Sequence, residues 1–224
     1  MLLRIPSVLS ATQLSEVRDL LAKAEFVDGK LSAGMLAKEV KHNQEVAAHD
    51  PNLQRLNETV IKALNAHPLY QAAALPQKVA TPFYARYAQG MDYGSHVDDP
   101  IMGRAPQQYR SDIAVTVFLT EPETYTGGEL VIRTSFGEQY VKYPAGDAVI
   151  YPASSLHRVD RVTQGERLVA VTWVQSLVRD PVQRELLFDL FQAREQLRLD
   201  LPEHDATRQV DRVYVNLVRR WALP

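Results

Sequence analysis

Residues 146–174 read GDAVIYPASSLHRVDRVTQGERLVAVTWV and carry the pattern that decides the fold. Three runs in this stretch are rich in β-branched and aromatic residues: Asp147 to Tyr151, Leu156 to Val162 and Arg167 to Val174. Short polar connections separate them, which predicts β-strands. Because these connections are too short for a helical crossover, we expect the strands to be antiparallel.

His157 and Arg167 lie in this stretch, ten residues apart. In a simple hairpin about Gln164-Gly165 they would sit about 16 Å apart along the ladder, too far to share one small ligand. The planar, permanently charged guanidinium of arginine is well matched to a carboxylate. A shared ligand therefore requires the chain to cross from one sheet to a facing sheet at this turn. The alternative is a rim arginine paired with Glu166 or Asp160.

Short runs rich in β-branched and aromatic residues extend back to Lys78. They predict seven or eight strands, mostly antiparallel, as in a sandwich or barrel. Turn residues that can reverse the chain separate the runs. The remaining strand candidates are Val79 to Tyr87, Asp112 to Thr120, Glu129 to Thr134 and Glu138 to Tyr143. The turn candidates are Gln89-Gly90, Thr126-Gly127-Gly128, Phe136-Gly137, Ala145-Gly146-Asp147 and Gln164-Gly165.

The first third of the chain is expected to be helical. Apolar residues at helical spacing predict a helix from Thr12 to Phe26. A second helix is predicted after Asp50-Pro51, a cap followed by proline at the first helical position, and it should end at His67-Pro68. Periodicity does not assign Val27 to Gly34 or Lys38 to Glu45, which we interpret as a structured loop.

Helical periodicity returns after Asp180-Pro181 and is interrupted at Pro202, which predicts two terminal helices packed on the sheet. The fold class is therefore mainly β with flanking helices. We divide the chain into an N-terminal helical region, 1–77, a β core, 78–178, and a C-terminal helical extension, 179–224.

The composition is that of a folded globular protein: 224 residues, 46% hydrophobic, with a formal net charge of -2. The absence of cysteine excludes disulfides, thiolate metal sites and thiol nucleophiles. Met1 to Leu9 does not resemble a signal peptide, so the expected compartment is the cytoplasm. With 25 basic against 27 acidic residues and no basic block, we expect neither nucleic-acid nor membrane binding.

A candidate metal site combines His96, Asp98 and His157. On an extended strand residues i and i+2 face the same side, so His96 and Asp98 can reach one ion. His157 is the remaining histidine of the β core and the natural third ligand. Two histidines and one carboxylate form a facial triad that suits non-haem Fe(II). The alternatives are a solvated loop pair for His96 and Asp98 and a hydrogen-bonded core residue for His157.

The order of these motifs resembles the prolyl 4-hydroxylase-type Fe(II)/2-oxoglutarate dioxygenases and, among them, the bacterial PKHD-type hydroxylases linked to iron uptake. The resemblance extends over nearly the whole chain. Its core motifs are Tyr87, Gly90, Tyr93, His96-x-Asp98, Gly127-Gly128-Glu129-Leu130, Gly146-Asp147, His157 and Arg167. Its N-terminal motifs are Asp28-Gly29-Lys30, Ala33-Gly34, Val40-Lys41 and Asn43-Gln44.

The resemblance implies a double-stranded β-helix, or jelly roll, which supplies the sheet crossing that the Arg167 spacing requires. It implies that His96, Asp98 and His157 are the catalytic iron ligands and that Arg167 binds the distal carboxylate of 2-oxoglutarate. Tyr87 is expected to hydrogen-bond to this co-substrate or to serve as an aromatic core residue. Fe(II), 2-oxoglutarate, O₂ and ascorbate as an auxiliary reductant are the implied cofactors and small-molecule partners.

The segment from Asp99 to Arg110 is a long polar link beside the metal motif and is placed to gate the substrate. Arg104 and Arg110 are candidates for binding an acidic substrate group, with a solvated loop as the alternative. Tyr93 is expected to line the pocket.

The predicted reaction is hydroxylation of an unactivated C–H bond, in a peptidyl proline or a small molecule, with release of succinate and CO₂. One alternative is a zinc hydrolase that uses the same His-Asp-His triad and leaves Arg167 unexplained. The other is a carboxylate-binding sensor without catalysis. The sequence leaves the substrate open, and the protein is expected to be a monomer or a homodimer.

Overall fold

Two antiparallel sheets that face one another form the core of the protein. The structure is a computed structural model, and it describes residues 1–32, 34 and 37–224. The motif residue Ala33 lies outside the described residues. The strands are β1 (Leu3–Ile5), β2 (Phe26–Asp28), β3 (Lys41–His42), β4 (Gln44–Val46), β5 (Pro76–Val79), β6 (Phe83–Tyr87), β7 (Asp92–His96), β8 (Ile101–Met102), β9 (Tyr109–Arg110), β10 (Ile113–Phe118), β11 (Leu130–Thr134), β12 (Gly137–Val141), β13 (Ala148–Pro152), β14 (His157–Val159) and β15 (Arg167–Ser176). The helices are α1 (Ala11–Leu21), α2 (Leu53–Ala66), α3 (Pro68–Ala74), α4 (Pro181–Asp200) and α5 (Asp205–Trp221).

The larger sheet has the strand order β1-β13-β10-β15-β6-β4-β2, with β5 also paired to β15. The smaller sheet has the order β12-β11-β14-β7-β3, and β8 pairs with β9 in a separate hairpin. All of the pairs described are antiparallel, as predicted. The chain leaves the smaller sheet at β14 and enters the larger sheet at β15, which confirms the predicted crossing. The core is the expected double-stranded β-helix.

The larger sheet is covered on both faces, which explains why all six residues of β10 are buried. Phe118 and Val169 face the smaller sheet and belong to the apolar cluster between the two sheets. Val117 and Ala170 face the opposite way and pack in a second cluster with buried residues of α1, α2 and α3. A strand buried on both faces reads as a continuous apolar run, as Ile113–Phe118 does.

The N-terminal helices differ from the prediction at their ends. Helix α1 ends at Leu21, not at Phe26, because Phe26 pairs with Val46 in the larger sheet. Helix α2 starts at Leu53, since the Asp50 carboxylate accepts hydrogen bonds from the backbone N–H groups of Asn52 and Glu25 and so holds the preceding turn.

Helix α2 ends before His67-Pro68, as predicted, but a further helix, α3, begins at Pro68. Proline at the first helical position suits a helix start as well as a helix stop, since its missing N–H is not needed there. The sequence pattern therefore predicted the end of α2 correctly but did not predict α3.

The predicted single strand from Val79 to Tyr87 is wrong. The structure has two strands, β5 and β6, separated by Ala80-Thr81-Pro82, where the proline cannot donate to a ladder. The structured loop predicted between the first two helices contains three short strands, β2, β3 and β4. The described part of the chain therefore has more strands than the seven or eight expected, because strands of two or three residues show no periodicity.

The C-terminal region forms the two predicted helices. Asp180 caps α4 by accepting hydrogen bonds from the N–H groups of Val182 and Gln183. Helix α4 packs against α3 and buries Leu187 and Phe188, and α5 packs against α4. The first 77 residues are not only helical, since they supply β1 to β4 and the start of β5; the domain boundaries stay a prediction. Within the described residues, no helix has the length and apolar character required to cross a bilayer.

The turn at Gly127 gives a test of the fold. Its φ of 75° is left-handed, and an added Cβ would lie 2.1 Å from the carbonyl oxygen of Arg161. We expect Gly127→Ala to lower the free energy of unfolding by about 3 kcal/mol, because alanine would strain the left-handed backbone and clash with this carbonyl. Urea denaturation measures this value. Gly90→Ala is the matched control, since Gly90 has a φ of 88° with no described atom within 4 Å. Gly90→Ala should lower the free energy of unfolding by about 1 kcal/mol. An equal decrease for the two variants would contradict the role given to the clash at Gly127.

Candidate active site

His96, Asp98 and His157 meet at the junction of two neighbouring strands. His96 ends β7, Asp98 follows two residues later, and His157 opens β14 directly opposite His96. The two imidazole centroids are 4.3 Å apart, and Nε2 of His157 lies 3.8 Å from Oδ1 of Asp98. One ligand atom from each of the three residues lies within 4.8 Å of the other two. The structure therefore brings the three predicted metal-ligating residues together.

The hydrogen bonds of the two histidines determine which ring nitrogen is free. Nδ1 of His96 lies 2.8 Å from the carbonyl oxygen of Gly94, and Nδ1 of His157 lies 3.0 Å from that of Ser155. A carbonyl can only accept, so each Nδ1 carries the proton and donates it. Each Nε2 therefore keeps its lone pair for a metal, which is the usual arrangement of a metal-bound histidine.

Burial and charge at this site also favour a cation. Oδ2 of Asp98 is buried without a hydrogen-bond partner in the described part of the chain. Burial raises the pKa of Asp98, while the neighbouring His157 opposes the rise. Burial, together with the charge of His157, lowers the pKa of His96 to about 4. A divalent cation would compensate the carboxylate charge and bind the neutral imidazoles, so the donor set fits a metal ion.

Arg167 opens β15 and lies opposite Tyr87 of β6. It is 1% exposed, and its guanidinium carbon lies 5.0 Å from the centroid of the Tyr87 ring. Its Nε has no hydrogen-bond partner among the described residues. The rim pairing considered as an alternative is not formed, since Glu166 contacts Arg86 and Asp160 contacts Arg158. Arg167 is thus a buried cation available to an anionic ligand.

A cavity of about 520 Å³ lies between the two sheets and joins these groups. His157 lines it from the smaller sheet, and Arg167 lines it from the larger one. Tyr87 and Tyr93 line the same cavity, and the Tyr93 ring stacks on His96 with the centroids 3.7 Å apart. Metal-ligand atoms at one wall and a buried guanidinium at another can hold a metal-bound ligand that carries a carboxylate.

The polar side chains of this cavity that the sequence does not predict as site residues include Lys41, Asn43 and Glu45. Lys41 lies on β3 of the smaller sheet and Glu45 on β4 of the larger sheet, and their buried side chains form an ion pair of 2.5 Å. Asn43 lies between the two strands and is 4% exposed. The sequence holds no signal for them, since residues 41–45, Lys-His-Asn-Gln-Glu, are all polar, and only the structure shows that Lys41, Asn43 and Glu45 are the buried ones.

The segment from Asp99 to Arg110 forms the mouth of the cavity, where Ile101 of β8 and Tyr109 of β9 line it. The Arg110 guanidinium binds both carboxylate oxygens of Asp112, at 2.6 and 2.8 Å. It is therefore engaged within the protein, contrary to the interpretation that it recognises a substrate acid. Arg104 is exposed and does not line the cavity.

The lowered pKa of His96 gives a direct prediction. In chelator-treated protein we expect its imidazole to titrate with a midpoint near pH 4, so the ring is neutral at pH 5 and above. Because the charge of His157 contributes to the lowering, His157→Ala should raise the midpoint. NMR of the imidazole protons measures both values. A wild-type midpoint near the ordinary value of about 6.5 would contradict the described burial.

Comparison with known proteins agrees with this geometry. The family model of the 2OG-Fe(II) oxygenase superfamily matches residues 82–175, and the model of the PKHD-type hydroxylase C-terminal domain matches residues 182–222. A PKHD-type hydroxylase of Thioalkalivibrio sulfidiphilus is 56% identical over 222 residues, which is 99% of each chain. A PKHD-type hydroxylase of Stenotrophomonas maltophilia is 46% identical, also over 99% of each chain.

Among solved structures, a prolyl-4-hydroxylase of Pseudomonas putida shares the fold, with a TM-score of 0.51 and 18% sequence identity. The match covers 78% of this chain and 92% of that one. The full-length similarity to the two curated relatives, together with the two family models, identifies the family. The chain belongs to the PKHD-type hydroxylases, a family of 2-oxoglutarate-dependent dioxygenases within the 2OG-Fe(II) oxygenase superfamily.

Proposed function

We propose that the protein hydroxylates an unactivated C–H bond of its substrate with Fe(II), 2-oxoglutarate and O₂, releasing succinate and CO₂. One observation carries the proposal. A metal-binding triad and a buried arginine without a protein counterion line the same cavity from opposite sheets. This pairing matches a co-substrate that has a chelating keto acid at one end and a carboxylate at the other.

His96, Asp98 and His157 are the proposed iron ligands. Their free Nε2 atoms and the buried carboxylate supply two imidazoles and one oxygen, the donor set of non-haem Fe(II) oxygenases. When bound there, iron supplies the oxidative decarboxylation of 2-oxoglutarate and the hydroxylation that is coupled to it. The backbone carbonyls of Gly94 and Ser155 hold the rings in orientation, and stacking of Tyr93 restrains His96.

Arg167 is the proposed anchor for the distal carboxylate of 2-oxoglutarate, since its guanidinium is buried and its Nε lacks a described partner. Tyr87 lies beside it, and burial raises the pKa of Tyr87 to about 12. The Tyr87 hydroxyl therefore keeps its proton at neutral pH and can donate a hydrogen bond to the carboxylate. A zinc hydrolase would give Arg167 no role, so the structure favours the dioxygenase.

The apolar wall between the two polar ends excludes water from the reacting atoms. Leu130, Val159 and Val171 line the cavity, while Phe83 and Trp173 pack edge to face at its mouth. Exclusion of water limits side reactions and strengthens the electrostatic contacts inside the site. The proposal includes ascorbate as an auxiliary reductant and leaves two substrate classes, a peptidyl proline and a small molecule.

An anaerobic titration tests the proposal. Fe(II)-loaded wild-type protein should give a weak visible charge-transfer band that saturates with 2-oxoglutarate. His157→Ala should lose the band because a ligand is removed. Arg167→Ala should raise the Kd for 2-oxoglutarate about 30-fold or more, since a buried charge partner is lost.

Arg161→Ala is the matched control, because Arg161 is exposed and bonds to Asp92 outside the cavity. Its Kd should equal that of the wild type. Absence of a band in the wild-type protein, with a known dioxygenase positive under the same conditions, would contradict the proposed reaction. Metal-independent binding of 2-oxoglutarate would point to a sensor.

A further inference from the structure

Asn43 lies in line with the two residues proposed to bind the co-substrate. Arg167 of β15 is opposite Tyr87 of β6, and Gln44 of β4 is opposite Arg86 of β6. Antiparallel partners step in opposite directions, so continuing this register by one residue places Asn43 beside Tyr87. The side chains of Asn43, Tyr87 and Arg167 all line the cavity. They form a row across three adjacent segments of the larger sheet.

Polar atoms of this row are buried without a described hydrogen-bond partner of ordinary length, although Asn43 and Arg167 both lie close enough to the Tyr87 hydroxyl to oppose the rise of its pKa on burial. Asn43 is 4% exposed, and neither Nδ2 nor Oδ1 has a partner in the portion of the chain that is described. Nε of Arg167 is in the same state. A buried amide that lacks partners is costly, by about 1–3 kcal/mol for each unsatisfied group. Asn43 and Arg167 differ from the other residues with such atoms on α2 and α3 in that both line the cavity, where a polar ligand can reach them.

Gly29 fixes the position of the Asn43 side chain. A Cβ added at Gly29 would lie 1.9 Å from Oδ1 of Asn43, so the carboxamide packs directly against the glycine. The Gly29 N–H also donates to the backbone carbonyl of Asn43, at 3.0 Å. These contacts connect two N-terminal motifs, Asp28-Gly29-Lys30 and Asn43-Gln44, and hold the carboxamide at the cavity wall.

The charges near Asn43 are compatible with an anionic ligand. Glu45 is the acidic group on the same strand, and Lys41 compensates its charge through the 2.5 Å ion pair. Lys41 also donates to the Ser32 hydroxyl and lies 5.3 Å from the centroid of the Tyr93 ring. With this pair neutral, Arg167 supplies the net positive charge at this end of the cavity.

We propose that the Asn43 carboxamide donates a hydrogen bond to the distal carboxylate of 2-oxoglutarate, beside Arg167 and Tyr87, and so sets the affinity for this co-substrate. A carboxylate has about four lone-pair positions, enough for the arginine fork and two further donors. The inference rests on the proposed function. It assigns a binding role to the N-terminal segment, outside the part of the chain that matches the oxygenase family model, residues 82–175.

The test compares two keto acids in the anaerobic Fe(II) protein, with the charge-transfer band as the readout. 2-Oxoglutarate has the distal carboxylate, and 2-oxobutyrate lacks it. Asn43→Ala should raise the Kd for 2-oxoglutarate about tenfold, because a hydrogen bond to a charged group is lost. The Kd for 2-oxobutyrate should stay within about twofold of wild type. The near-isosteric Asn43→Asp should weaken 2-oxoglutarate further, since it places a second negative charge beside the ligand.

Asn57→Ala is the matched control, because Asn57 has a buried, unpartnered Oδ1 in the described structure but lies on α2 outside the cavity. It should leave both Kd values unchanged. An unchanged Kd for 2-oxoglutarate in Asn43→Ala or Asn43→Asp would overturn the inference. An equal rise for both keto acids would also overturn it, because the change would then act on the metal site or on folding. If the wild type gives no band with either acid, the proposed function itself fails.

Discussion

Arg167 is buried without a protein carboxylate among the described residues, and the chemistry of the site follows from that burial. A guanidinium that is 1% exposed loses its hydration, and this loss is compensated only by an anion or by well-placed acceptors. The rings of Tyr87 and Phe118, at 5.0 and 5.9 Å, offer partial compensation through their π faces. The metal triad lines the cavity from the facing sheet and includes the buried carboxylate of Asp98. Arg167 and Asp98 are thus buried charges of opposite sign that line one cavity, and a cation with a bound carboxylate ligand would satisfy both.

Two of the crossings between the sheets position the polar groups of this cavity. The chain passes from β14 to β15 after His157, which places His157 and Arg167 on facing walls. It also passes from β3 to β4 around Asn43, where the Lys41–Glu45 pair joins the smaller sheet to the larger one. The superfamily model covers the first crossing, and the N-terminal segment adds the second. The curated relatives match over 99% of their length, so they share this N-terminal segment as well as the β core.

Much of the fold and of the site follows from the sequence, for physical reasons that can be named. The strand at Ile113–Phe118 is long and apolar. The distance from His157 to Arg167 along a hairpin shows that the two residues can share a small ligand only if the chain crosses between sheets. The short strands β2 to β4 were not predicted, because two or three residues are too few to show an alternating pattern of apolar and polar side chains. Their pairing also depends on partners that are distant in the sequence. Arg110 was one candidate for binding a substrate acid, and the sequence does not show that Asp112 binds its guanidinium.

One cavity should hold the metal and the co-substrate together. A crystal structure of the protein, from crystals grown anaerobically with Fe(II) and 2-oxoglutarate and with anomalous data at the iron edge, would locate both ligands. The account predicts one iron atom bound by His96, Asp98 and His157, with the distal carboxylate of the co-substrate against Arg167. Iron at another position, or 2-oxoglutarate bound with its distal carboxylate away from Arg167, would contradict it.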